Sequence, residues 1–267
     1  MLIRPRTGRS DPDQQQQTHF ILLCHARSGS NLISLSLGKH GAVKMFGEIF
    51  HASDQEACAS LPKRLHPRHM RSDAAQFLSQ EIFDQQPPWP NRARGFKIFY
   101  EHARATPTQK AAWTYLIGRK DIKVIHLTRR NLLDCKLSLE VALRNGEWFV
   151  SSGEQSSAAP IERFSLSPWD CQQYFGQMLS SRMWAEEAFA GHRTLTLEYE
   201  RDLCGDFAGT MARVFAFIGV AEVPAAQQLV KQQTGRPADR ILNYEELRRW
   251  FEHTLHEEYF SAEGAPS

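Results

Sequence analysis

The sequence predicts an α/β fold, a central parallel sheet flanked by helices. Two stretches carry that prediction: FILLCHARSGSNLISLSL, Phe20 to Leu37, and IKVIHLTRRNLLDCKLSLEVA, Ile122 to Ala142. In each, a short apolar run ends at polar turn residues, after which leucines return at helical spacing. A chain of 267 residues is long enough to enclose such a sheet in one large domain.

In the first stretch, Phe20 to Leu23 reads as a strand buried on both faces. Arg27, Ser28, Gly29 and Ser30 end it, and Leu32, Ile33, Leu35 and Leu37 begin the helix. The first N–H groups of a helix lack intrahelical partners and carry its positive dipole end, so the turn is predicted to hold a phosphate or sulfate. Gly29 admits close approach of the backbone, Ser28 and Ser30 bring hydroxyls, and Arg27 brings a cation. The plain alternative is a Ser/Gly connection that binds nothing.

In the second stretch Ile122, Val124, Ile125 and Leu127 form the strand and Thr128 to Asn131 its exit; Leu132, Leu133, Leu137, Leu139 and Val141 open the helix. Arg130 at the strand end and Ser138 two turns along the helix are placed to converge on a second anion. The alternative makes Arg129 and Arg130 solvated charges and Ser138 an ordinary helical residue.

The loop HARSGSN lacks both the leading Gly and the Gly-Lys pair of a nucleotide kinase or ATPase, and no G-x-G-x-x-G marks a dinucleotide fold.

Taken together, the two stretches resemble the sulfotransferases that use 3′-phosphoadenosine 5′-phosphosulfate, PAPS, as donor. TLTLEYERDL (Thr194 to Leu203) followed by VFAFIGV (Val214 to Val220) adds a third resemblance, in the same order as in that family. The match implies a P-loop-like three-layer fold. It implies that Arg27, Ser28, Gly29, Ser30 and Asn31 hold the 5′-phosphosulfate and that Arg130, Asn131 and Ser138 hold the 3′-phosphate. A late basic loop closes over that phosphate in the family, which points to Arg236 or Arg240. The segments RSGSN, GEIFH (Gly47 to His51) and GFKIFYEH (Gly95 to His102) make the chain most similar to the bacterial carbohydrate branch, the trehalose and nodulation-factor enzymes. By that likeness Glu48 is the general base, with His51, whose ordinary pKa suits the task, as second candidate. Asn31 stands where many relatives have Thr.

The implied reaction moves a sulfuryl group in line from PAPS to a carbohydrate or glycolipid hydroxyl, Arg27 stabilising charge on the departing bisphosphate. Positioning and charge stabilisation then dominate, by analogy with phosphoryl transfer, and no metal is expected. Competing readings are a P-loop-like phosphotransferase, against which the absent Gly-Lys and Mg²⁺-binding Asp pair speak, and a non-catalytic nucleotide- or glycan-binding protein.

A net charge of +2 gives no argument for nucleic acid. No apolar run approaches membrane-spanning length, and the N-terminus lacks the apolar core of a signal peptide. Residues 1–17 are expected to be a flexible tail and 18–267 a single domain. Cys24, Cys58, Cys135, Cys171 and Cys204 lack C-x-x-C spacing, which favours reduced thiols in a cytoplasm. Lys97 is expected in a strand, near donor or acceptor or in a salt bridge. The basic run Leu61 to Asp73 is a solvated loop or an acceptor contact, and Trp148 and Phe149 stack on a sugar or join the core. The segment Ser151 to Ser167, the acceptor and the oligomeric state have no assignment from the sequence.

Overall fold

The computed structural model describes residues 17–51, 61, 72–83, 92–146, 150–151, 163–224, 229–230 and 236–261. Outside them lie residues 1–16 of the expected tail, Cys58, most of the basic run after Leu61, Trp148 and Phe149, and most of the unassigned segment that begins at Ser151.

The first strand, β1 (Thr18–Cys24), is buried from Phe20 onward, in keeping with its uninterrupted apolar sequence. A turn leads to α1 (Ser30–Lys39), then to β2 (Val43–Phe46). A one-turn helix α2 (Ala74–Phe77) runs on into a π-helical turn, Leu78–Phe83, ahead of β3 (Ala93–Phe99). Next come α3 (Pro107–Gly118), β4 (Lys123–Thr128) and α4 (Leu132–Asn145). The short β5 (Val150–Ser151) pairs with a distant two-residue strand. Helix α5 (Pro168–Ala188) precedes β6 (Thr194–Glu198) and α6 (Phe207–Ile218). That distant partner, β7 (Leu229–Val230), is followed by the short α7 (Pro237–Arg240) and by α8 (Tyr244–Phe251).

The helix starts follow from sequence. Thr106, Asn131, Ser167 and Asp206 each accept a backbone N–H two or three residues into the helix they open, and Pro107 and Pro168 sit where a missing N–H costs nothing. Gly146 and Gly219 end α4 and α6 in the left-handed conformation at φ 69° and 79°.

Five strands form one sheet in the order β2-β3-β1-β4-β6, every pair parallel. On one face Ile21, Leu23, Phe96 and Ile98 pack against Trp113 and Leu116 of α3. On the other, Phe20, Leu22, Ile125 and Leu127 pack against Ile33 and Leu37 of α1 and Val214, Phe215 and Ile218 of α6. A third cluster joins α4, α5 and α8 through Leu137, Phe175 and Phe251. The three-layer, all-parallel arrangement is the fold class the sequence predicts.

The order also fixes where a ligand belongs. From β1 the chain crosses outward to β2, and from β3 it passes back over β1 to β4, so the carboxyl end of β1 is where the winding reverses. Parallel α/β sheets bind their ligands in the crevice at such a point.

Candidate active site

The turn after β1 sits at that crevice. Gly29 adopts φ 88° and Arg27, although not glycine, φ 64°. A Cβ on Gly29 would lie 2.4 Å from Cδ2 of Tyr199, so the turn is packed down on that ring. Gly29→Ala is therefore expected to lower stability by about 2–4 kcal/mol, the sum of a left-handed backbone and a displaced aromatic ring. Urea unfolding measures it, and a loss below about 0.5 kcal/mol, the ordinary surface range, would show that the ring moves aside freely.

Ser28 departs from the expected role for its hydroxyl. It is fully buried and donates to the carbonyl of His25 at 2.8 Å, bracing the turn from inside. No side chain caps the start of α1, so its first amides are not taken up by a capping group. Asn31 lies in the first turn of the helix.

Arg27 reaches across to α4, its Nε donating to Oγ of Ser138 at 2.9 Å. Burial, then the neighbouring Arg129, lowers the proton affinity of this guanidinium. The structure thus brings together the cation of the first predicted anion site and the hydroxyl of the second. Arg130, the residue expected to share an anion with Ser138, is exposed at the end of β4. Its backbone N–H donates to Glu200 Oε2 at 2.9 Å, and that of Asn131 to Glu200 Oε1 at 3.0 Å. Asn131 also opens α4 by accepting from the Asp134 amide, and its Nδ2 donates to the carbonyl of Tyr259.

Arg129 behaves unlike its neighbour. It is buried, donates to the Arg27 carbonyl at 3.1 Å and to Asp134 at 3.2 Å, and lies 3.7 Å from Glu200 and 4.5 Å above the Tyr199 ring. Burial opposes its charge, but Cys135, Asp134, Tyr199 and Glu200 outweigh this and raise its pKa. Sequence reasoning passed over Arg129 and Glu200 as working residues. The signal available was the Tyr-Glu pair that closes β6.

The second half of the site hangs from β2 and β3. Glu48 follows β2, because α1 stops at Lys39 and a further strand intervenes. The Lys97 amide donates to the Gly47 carbonyl at 3.1 Å, extending the β2–β3 ladder by one rung and setting Glu48 beside Lys97. Glu48 Oε1 lies 2.6 Å from Lys97 Nζ, and Oε2 lies 3.9 Å from His102 Nε2. Lys97 also donates to Asn31 Oδ1. The His51 amide donates to the Glu48 carbonyl at 3.0 Å, which closes a turn, and the His51 ring lies 6.2 Å from that of His102. Burial pushes His102 down to about 4, so its ring is neutral at pH 7.

Beneath the turn Tyr100 pairs with His126 at 2.6 Å. Arg236 opens α7 and pairs with Asp239 at 3.5 Å; it is largely exposed. Cys24, Cys135 and Cys171 are buried free thiols and Cys204 an exposed one. Among the described residues no His, Cys, Asp and Glu side chains gather as a three-ligand metal site, and no helix is long and apolar enough to cross a membrane.

No protein-family profile matches the chain. Among curated proteins it is similar to nodulation protein H of Rhizobium meliloti strain 1021, 26% identical over 246 residues, spanning 90% of this chain and 94% of the relative. A second nodulation protein H from Rhizobium meliloti is 25% identical over 245 residues with the same coverage. The resemblance to the sulfotransferases holds. Among solved structures, the sulfotransferase domain of the Synechococcus PCC 7002 olefin synthase overlaps 96% of this chain and 98% of its own at a TM-score of 0.43 and 14% identity. Mouse sulfotransferase SULT7A1 complexed with PAP overlaps 91% of this chain and 72% of its own at 0.37 and 12%. At these scores neither overlap bears on the site.

Proposed function

We propose that the protein transfers a sulfuryl group from PAPS to a hydroxyl of a carbohydrate or glycolipid, with Glu48 as general base. One observation carries this reading: a carboxylate and an uncapped, glycine-bent helix start stand together at the switch point, joined through Lys97 and Asn31. The likeness to nodulation protein H supports it.

PAPS supplies the activated sulfuryl group. The chain supplies position and charge. The first amides of α1 and the Arg27 guanidinium face negative charge on the 5′ side, where charge builds as the sulfur–oxygen bond to the bisphosphate breaks. Gly29 serves the site by letting the turn close down on the Tyr199 ring, where a Cβ would collide. Ser138 and the Arg130 side chain take the 3′-phosphate, Ser138 exchanging its bond to Arg27 for one to the phosphate; Asn131, whose amide and Nδ2 are given to Glu200 and Tyr259, shapes the strand exit that carries Arg130. Glu48 accepts the proton of the acceptor hydroxyl as its oxygen bonds to sulfur, and Lys97 holds its side chain in place. His51 lies one turn from Glu48, beside His102 rather than on Lys97. For Arg236 to close over the 3′-phosphate, it has to give up its pairing with Asp239.

Incubation with PAPS and a panel of glycans, read by mass spectrometry, tests the transfer; thermal shift with 3′,5′-bisphosphate against ATP plus Mg²⁺ tests the donor. Stabilisation by ATP plus Mg²⁺ alone would favour a phosphotransferase. Bisphosphate binding without transfer to any glycan would favour a binding protein.

Arg130→Ala is expected to weaken PAPS binding by about 1.5–3 kcal/mol, the value of one charge-assisted contact, and to leave adenosine 5′-phosphosulfate binding nearly unchanged. Calorimetry with both ligands checks it. Equal losses would place Arg130 away from the 3′-phosphate.

A further inference from the structure

Lys97 lies in the middle of β3 and is only 4% exposed. A buried ammonium is costly unless its hydrogens find acceptors and its charge a partner. Both are present, and they come from different elements: Glu48 Oε1 at 2.6 Å from the end of β2, and Asn31 Oδ1 from the first turn of α1. The ammonium also lies 5.3 Å from the centre of the Phe99 ring.

We propose that Lys97 is a positioning residue that fixes the Glu48 carboxylate to the donor-loop helix through Asn31, so that base and donor are held in one frame. This rests on the reading of Glu48 as the base of sulfuryl transfer. A loop carboxylate, two residues beyond its strand, has no rigidity of its own. Sharing one buried ammonium with α1 ties it to the element that bears the donor turn, and a misplacement of about 1 Å at such a site is enough to cost on the order of 10²-fold in rate.

The groups around Glu48 leave this contact to Lys97. His102, just after β3, is neutral at pH 7 because burial pushes it down to about 4. Cys24, at the end of β1, is held protonated by burial, which pushes its thiol up to about 12. Glu101 carries the same sign as Glu48, and burial followed by Glu48 itself raises its pKa. His51 is in the turn of Glu48 and faces His102. The Lys97 ammonium is in contact with the carboxylate.

The test is kcat and KM in wild type, Lys97→Met, Lys97→Gln and Lys97→Arg, with 3′,5′-bisphosphate affinity measured in parallel. Removing the ammonium frees the Glu48 carboxylate from α1, so kcat is expected to fall by on the order of 10²-fold in both neutral variants while bisphosphate affinity stays near wild type, and Lys97→Arg recovers most of the rate. The Glu48 side chain, followed by ¹³C relaxation without turnover, gains mobility in the neutral variants. A wild type that transfers nothing would thus overturn the function and leave the Lys97 contact still decided by NMR. Asn31→Ala keeps the ion pair but frees it from α1, and is expected to lower kcat and to loosen Glu48 in the same way; it decides the matter if neither neutral variant folds. The proposal falls if the neutral variants keep the kcat and the Glu48 relaxation of wild type, if bisphosphate binding is lost together with rate, or if Asn31→Ala retains full kcat.

Discussion

Glu48→Gln lowers kcat for sulfuryl transfer by about 10²- to 10⁴-fold while donor affinity stays near wild type. Glutamine preserves the size of the side chain and an oxygen for Lys97, which lies 2.6 Å from Glu48 Oε1 in the native protein, so the geometry of the site is largely kept. What disappears is the lone pair able to take the acceptor proton. His51→Ala costs much less, because it is the Glu48 carboxylate that Lys97 holds beside the donor-loop helix, while the ring of His51 lies 6.2 Å from that of His102. Steady-state kinetics on both variants, with calorimetry for donor binding, settles the ranking. An active Glu48→Gln beside an inactive His51→Ala that still binds donor would give the base to His51 and leave Glu48 a structural carboxylate.

Folding stability drops steeply as pH falls from about 6.5 to 4. His25, His102 and His126 are each pushed down to about 4 by burial. In the unfolded chain they bind protons near their ordinary pKa of about 6.5, so below that value acid favours the unfolded state. Their contribution is whole above pH 6.5, declines through the window, and falls no further below about 4. Each histidine removes about 1.4 kcal/mol per pH unit inside it. Urea unfolding at several pH values measures the slope. His126→Gln, which keeps a partner for the Tyr100 hydroxyl, should reduce the slope by one proton; an unchanged slope would mean that His126 is not the buried neutral group described.

The layered sheet was legible because strands buried on both faces leave uninterrupted apolar runs, as Phe20 to Leu23 does, and because a glycine-bearing polar turn has few places to go between a strand and a helix. Arg27 and Ser138 were legible as anion-seeking groups, and the structure joins them. Arg129 was not. Two adjacent arginines at a strand end look alike in one dimension, yet one turns inward onto Asp134 and Glu200 while the other faces solvent. That difference depends on a carboxylate some 70 residues further on, which no local pattern announces. The strand that carries Glu48 left no signal for a related reason: β2 is only four residues long, too short to show a clear alternation. Lys97 was read as a strand lysine with an open role, since its two partners are set by the register of β3 beside β2, not by its neighbours in sequence.

The donor crevice is stitched by contacts between residues far apart along the chain. Arg27 meets Ser138 across 111 positions, and Asn131 meets Tyr259 across 128. Closing such loops precedes any reward from the contacts they permit, so these are slow events in the folding of a chain. During synthesis the turn after β1 emerges early and has nothing to rest on. Its tyrosine cushion, its buried arginine and the carbonyl that holds Asn131 all come later. The site proposed for the donor is therefore completed only at the end of folding, as a property of the finished sheet rather than of the turn that bears the recognisable motif.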